Sequence, residues 1–313
     1  MSSLLACSGP AGKPIAPATT PGKAPGSEEY SWVKVLDTAP WRKSYNFQLL
    51  NIRDTLWAFH YDGNWFSADG SHWTKSTLPN AIGNLAFLDY LPFNNAVYGL
   101  GHFEGNIETF SFRPDIYQSR DLKTWQTIST SSNLPKRFFY HPYVFANKIW
   151  IAGGEDTSTK YADIWHSADA VFWIREKDHL PFGKRSGSQV VTLNGKLFLL
   201  DNDVWSSADG LNWTQETTEI MKGEKVFGYT AVVFDNNIWL LGCNRNGQFA
   251  SQVLISSDGK NWTRQSAPWS PRGAIAAAVF KNRIYMTGGK YGGTPNDPVF
   301  RYSNDVWMLQ KNE

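Results

Sequence analysis

The stretch SADGSHWT, Ser67 to Thr74, returns as SADGLNWT from Ser207 and SSDGKNWT from Ser256, with looser copies SRDLKTWQT from Ser119 and SADAVFWIR from Ser167. A chain that repeats itself at a steady interval folds as stacked copies of one supersecondary unit, so this repeat limits the fold before any other property does. Aligned on the closing tryptophan, Trp73, Trp125, Trp173, Trp213 and Trp262 recur at spacings of 52, 48, 40 and 49 residues. Trp32 stands 41 residues before Trp73 in the related context WVKVLDTAP, which makes six copies.

Two more landmarks recur in register. The first is an apolar residue, turn-like residues and an apolar–aromatic pair: IRDTLW, FNNAVY, FANKIW, LNGKLF, FDNNIW and FKNRIY, anchored at Ile52, Phe93, Phe145, Leu193, Phe234 and Phe280. Asn, Asp and Gly at its centre tolerate the left-handed backbone of a tight hairpin, so it predicts a turn between two strands, a and b. The second is ADIW at Ala162, NDVW at Asn202 and Asn304, and the variant PDIY at Pro114, which reads as strand c. The opening motif then turns strand c into strand d. Aromatics at 15% of the chain, with 15 Trp, suit strands. The chain runs out after NDVWML, a strand c without a d, whereas the segment around Trp32 is a d without a, b or c. Joined, they complete a sixth unit. The expectation is an all-β, six-bladed β-propeller of four-stranded antiparallel blades, its ring closed by the N-terminal strand completing the C-terminal blade. Closure would remove the sheet edges that invite aggregation.

The order of apolar strand, turn, apolar-Tyr, Gly-Gly and NDVW followed by a distant Trp resembles the kelch repeat, most fully in PRGAIAAAVFKNRIYMTGGKYGG…SNDVWML. The resemblance spans residues 30–313, and the kelch class hosts enzymes, peptide receptors and scaffolds, so it speaks to fold more than to function. Thirteen of the 15 Trp fall on repeat positions and are expected to pack between blades; Trp41 and Trp269 fall outside. The Ser-x-Asp-Gly-x-x-Trp motif also resembles the Asp box of sialidases, one residue shorter between Asp and Trp. It reads as a structural turn. P-loop, GxGxxG, HExxH, CxxC-pair and GxSxG motifs are absent from the sequence. His60, His102 and His141 lie on consecutive units but carry no metal-ligand spacing, and no metal or cofactor is expected.

Variable loops on a rigid scaffold are where function usually sits. Here the d-to-a and b-to-c connections are long and varied, as in HFEGNIETFSFRPD and KYGGTPNDPVFRYSN. The residue eight before each hairpin anchor is Ser44, Leu85, Arg137, Arg185, Val226 and Arg272. Three Arg in register predict an Arg-lined channel face whose guanidinium forks take carboxylates. An Arg-rich mouth is also what the resemblance implies, through kelch domains that bind acidic peptides and the kelch-type sialate mutarotase. Trp41, Trp269 and Tyr229 are further ligand-binding candidates, and Glu155, Asn244 and Lys290 hold equivalent places after strand b. The leading expectation is a binder of an acidic sugar or an acidic peptide or protein. The alternatives are a metal-independent sugar mutarotase or epimerase, with Glu155 and His141 as acid and base, and a protein-interaction scaffold.

The net charge of +2, from 30 basic and 28 acidic residues, argues against a nucleic-acid partner. Leu4-Leu-Ala-Cys7 resembles a bacterial lipobox, which implies a lipidated Cys7. Residues 1–29 are rich in Pro, Gly and Ala and suit a flexible tether. Together these predict a monomeric protein of the bacterial cell envelope, lipid-anchored, periplasmic or extracellular, that meets the membrane through its anchor alone.

Overall fold

The computed structural model describes residues 29–312 apart from 46, 77–87, 102, 105–110, 113–114 and 294–296. Cys7, Leu85, His102 and most of the loop that follows His102 therefore lie outside the described residues. The described chain contains no helix, and its strands form six four-stranded antiparallel sheets plus three small loop sheets.

In chain order, the first sheet is Gln48–Ile52, Thr55–His60, Gly63–Ser67 and Thr74–Lys75, and the second is Asp89–Phe93, Ala96–Leu100, Ile116–Ser119 and Gln126–Ser129. The third is Tyr143–Phe145, Lys148–Ala152, Ile164–Ser167 and Trp173–Lys177. The fourth is Gln189–Leu193, Lys196–Leu200, Val204–Ser207 and Thr214–Thr217, and the fifth is Thr230–Phe234, Asn237–Leu241, Gln252–Ser256 and Thr263–Ser266. The sixth joins Ala276–Phe280, Arg283–Thr287 and Val306–Lys311 to the N-terminal strand Tyr30–Leu36, which pairs Trp32 with Leu309. The d strand missing from the end of the chain is thus supplied by its beginning.

Local geometry follows from the hairpin residues. Both central residues of each a-to-b turn take positive φ, from Arg53 and Asp54 (52° and 54°) to Lys281 and Asn282 (47° and 55°). That is the primed turn whose twist matches the flanking strands. Strand b is buried along nearly its whole length, as in Ala96–Leu100 and Asn237–Leu241, because a neighbouring sheet covers each of its faces. The d strands, such as Thr74–Lys75, face water.

Each of the six core clusters spans two consecutive sheets. Leu56, Ala58 and Trp65 of the first sheet pack against Ala278, Phe280 and Tyr285 of the sixth. Phe59 and Trp57 pack against Tyr90 and Val97 of the second. The clusters between the later pairs repeat this pattern. Such burial stabilises the fold by about 1.5–3 kcal/mol per large side chain, and the gain is spread over six layers.

Candidate functional site

The repeated Ser-x-Asp-Gly stretch is a closed hydrogen-bonding unit. At its second full copy, Gly210 N donates to Ser207 Oγ (2.8 Å), and Leu211 N and Asn212 N both donate to Asp209 Oδ1 (2.8 Å each). Asp69, Asp121, Asp169 and Asp258 receive the same two backbone donors in their own copies. The N–H groups of Asn212 and Leu211 hold the Asp209 carboxyl well below the usual carboxylate range. The tryptophan closes the turn: Trp213 Nε1 donates to Gly210 O at 3.0 Å. Gly70 has φ +83°, and a Cβ there would lie 2.2 Å from the Tyr285 ring of the sixth sheet, so the turn is also packed against its neighbour. Its acceptors are spent on the chain itself, which fits a structural turn.

The three arginines are brought to one structural position, as their register predicts, but they point inward. Arg137 is buried and forms a fork with Asp163 (Nη1–Oδ1 2.6 Å, Nη2–Oδ2 3.0 Å). Arg185 does the same with Asp203 (2.8 and 3.3 Å), and Arg272 with Asp305 (2.5 and 3.1 Å). Each carboxylate also accepts from a strand-c indole: Trp165, Trp205 and Trp307 donate Nε1 to it at 2.7–2.8 Å. Arg137 Nη1 and Arg272 Nη1 each donate as well to the carbonyl of the first Gly of a Gly-Gly pair, Gly153 and Gly288. The guanidinium groups clamp the d-to-a loop to the b-to-c loop of the same sheet. The expectation of an Arg-lined ligand face is corrected accordingly: buried forks already filled by a carboxylate are not open to a second one.

The other sequence-derived candidates divide the same way. Trp41 and Trp269 are 2% and 3% exposed and pack edge-on against Trp73 and Trp32 at 4.8 and 4.2 Å. Tyr229 is buried, and its hydroxyl donates to Asp201 O at 2.6 Å. These three are core residues. Glu155 is partly exposed and accepts from Ser186 Oγ at 2.8 Å, with Lys160 Nζ at 3.9 Å. His141 meets a different partner, Asp89, with Nδ1 at 3.4 Å from Oδ1. Burial works against the imidazolium there, but the charge and hydrogen bond of Asp89 prevail and raise the His141 pKa. Glu155 and His141 thus take separate partners and form no acid–base pair with each other.

Asp89 and His141 occupy the same place, four residues before the hairpin anchor, in consecutive sheets. Gln48, Gln189 and Thr230 hold that place elsewhere, and each bonds to the inner strand of the next sheet: Gln48 to the backbone of Tyr90, Gln189 to Tyr229 and Ala231, Thr230 to Ile275. This inner row fastens sheet to sheet.

Lys290 differs from all of these. Its backbone is fixed on two sides. It exchanges both hydrogen bonds with Gly273 (3.0 and 2.9 Å) and pairs with Tyr302 in the hairpin Lys290–Tyr291 and Arg301–Tyr302. The preceding Gly289 donates to Ser44 O at 2.9 Å, and a Cβ on it would sit 2.7 Å from Ile275. The side chain rises between two rings, with Nζ 4.8 Å from the Tyr45 centroid and 5.1 Å from that of Phe300. Tyr45 in turn stacks on Tyr302 at 5.4 Å and 10°. Among the described residues no carboxylate reaches Lys290, while Phe300 and Tyr302 stay 48% and 36% exposed. Burial lowers the Lys290 pKa. The register flagged Lys290 as the equivalent of Glu155 but not its rings, which come from the opposite end of the chain and from a loop without repeat character.

Six four-stranded sheets, each with a primed hairpin, five with an Asp turn and three with an Arg–Asp–Trp group, have the make-up of a β-propeller whose repeats are similar to the kelch repeat. A family model described as the DUF6242 beta propeller domain matches residues 143–230. The kelch repeat protein M-T8 of Myxoma virus (strain Lausanne) is 33% identical over 89 residues, 26% of this chain and 17% of that protein's length. A solved structure titled "Structure of YjhT" aligns with a TM-score of 0.69 at 12% identity, over 89% of this chain and 100% of that one, a likeness of fold.

Proposed function

We propose that the six sheets are the blades of one closed ring and that the protein is a binding propeller. Its ligand carries a carboxylate, as an acidic sugar or an acidic peptide does, and docks on the face of the d-to-a and b-to-c loops. The observation that carries this is Lys290, a cation with no carboxylate partner among the described residues, set between the rings of Tyr45 and Phe300. A partly desolvated ammonium gains more from an incoming anion than one in open water. Exposed rings beside it supply apolar contact area at small entropic cost. The opposite face, with its satisfied Asp turns, has little comparable to offer.

Calorimetry with glucuronate, sialic acid and an acidic peptide tests the reading. Lys290→Ala and Phe300→Ser are expected to weaken the best of these ligands about tenfold or more, and rising salt to weaken it further. Equal affinity in wild type and Lys290→Ala would sink the assignment. Export and lipid attachment at Cys7 belong to the same proposal, supported by the Leu-Leu-Ala-Cys start and the Pro/Gly-rich segment behind it. Mass spectrometry of the N-terminal peptide from a bacterial host tests it, and an unmodified Cys7 would argue against an anchor.

A further inference from the structure

We infer that Lys290 is also a nucleophile, whose amine forms an imine with a small carbonyl-bearing acid seated against Tyr45 and Phe300. The inference rests on the binding reading above and adds a covalent step to it.

The contrast with six other lysines carries it, together with burial: Lys75 also lies over a ring, with Nζ 5.0 Å from the Trp65 centroid, but is exposed, whereas Lys290 is partly buried. Lys34 is held by Asp37, Lys196 by Glu216, and Lys311 by Glu29 and Asp235. Lys177 and Lys281 donate to backbone carbonyls at 2.5 and 2.7 Å, and Lys148 lies 3.3 Å from His166. Those ammonium groups are stabilised by oxygen or nitrogen acceptors, and losing the proton would forfeit the contact. Lys290 has two ring faces in place of such acceptors. Partial desolvation without a counter-ion is the environment that frees a lysine lone pair for attack on carbonyl carbon. The direction of its pKa agrees. Its main chain is locked to Gly273 and Tyr302, so the amine is presented from a fixed base, and the neighbouring Phe300 is open to solvent.

The step balances without a further reagent. The Nζ lone pair forms a bond to the carbonyl carbon, and the carbonyl π pair moves to oxygen. Proton transfer from nitrogen to oxygen gives a carbinolamine. Loss of water, with the second amine proton, leaves the carbon–nitrogen double bond. An acid group on the same small molecule is drawn by the fraction of Lys290 that remains ammonium, so an aldehyde acid or 2-oxo acid is the matching class.

Glyoxylate with sodium cyanoborohydride, which reduces the imine to a stable amine, followed by peptide mass mapping, is the test. Lys290 is expected to be trapped about tenfold or more faster than any other lysine. Lys290→Arg keeps the charge and the ring contacts but cannot form the adduct, and it is expected to retain binding of glyoxylate by calorimetry. Trapping spread over the lysines according to their exposure, with binding of glyoxylate intact, overturns the covalent inference and leaves the binding reading standing. Absence of both binding and selective trapping overturns both.

Discussion

The third, fourth and sixth sheets carry the Arg–Asp–Trp clamp, and the first, second and fifth do not. In the clamped sheets Arg137, Arg185 and Arg272 are all under a tenth exposed, and Asp163, Asp203 and Asp305 answer them. In the first and fifth sheets the Arg position holds Ser44 and Val226, and the Asp position holds Gly63 and Gln252. Ser44 instead donates its N–H to Ser303 O, and Val226 N–H goes to the Asn202 side chain. In the sequence, the second repeat has Asp115 at the Asp position and Leu85 at the Arg position. Where Arg is present Asp is too, as the cost of burying an unpaired charge demands. The fold can therefore dispense with the clamp, or keep its Asp alone, but does not bury the Arg without its Asp, and a residue in register across three sheets marks architecture more readily than a ligand.

The largest expected effect comes from halving a clamp. Asp163→Ala or Asp305→Ala strands a buried guanidinium and should cost about 3–5 kcal/mol, whereas replacing both partners by apolar residues, Arg137→Met with Asp163→Leu, should cost far less. Urea unfolding of the single and double variants reads the difference. A single variant no worse than the double would show that the pair is not desolvated in solution, and the contrast between clamped and unclamped sheets would lose its meaning.

That contrast was half legible in the sequence. The repeat period, the primed hairpins and the borrowed N-terminal strand were legible because they depend on local turn chemistry and on the order of landmarks. Both Arg137 and Asp163 were visible at recurring positions as well. What a period does not show is that the loop before strand a and the loop before strand c of one sheet meet head-on, so the three Arg read as free when they were already paired. Trp41 and Trp269 behave alike: they lie off the repeat, which singles them out in the sequence, yet both are buried in the inter-sheet core. The Lys290 setting was least legible, since Tyr45 and Phe300 reach it from loops with no periodicity at all.

A middle-sized effect is expected on the regular face. Asp209→Asn keeps the shape of the turn but weakens an acceptor that takes two backbone N–H groups and the Asn212 amide. Because the group is largely in solvent, the loss should be about 1 kcal/mol. Its folded-state pKa is lowered, so its stabilisation is fully present above the unfolded Asp value of about 3.9 and drains away as pH falls through the folded value. Thermal unfolding across acidic pH should show a shallower decline for Asp209→Asn than for wild type. Parallel declines would mean that the turn adds nothing to acid sensitivity.

The smallest effect should fall on Lys290, and that smallness is informative because Arg272 lies beside it. Gly273, next to Arg272, is hydrogen-bonded to Lys290, so the two cations hang from adjoining backbone. Removing Arg272 leaves Asp305 without its fork and should unfold the protein early. Removing the Lys290 side chain abandons no carboxylate among the described residues and leaves its backbone pairing in place, so Lys290→Ala should change stability by no more than about 0.5 kcal/mol. Of two cations at one loop junction, one would then serve the fold and the other the ligand. Calorimetric unfolding of Arg272→Ala and Lys290→Ala side by side decides it. A large loss for Lys290→Ala would move Lys290 into the scaffold and leave this face without its candidate site.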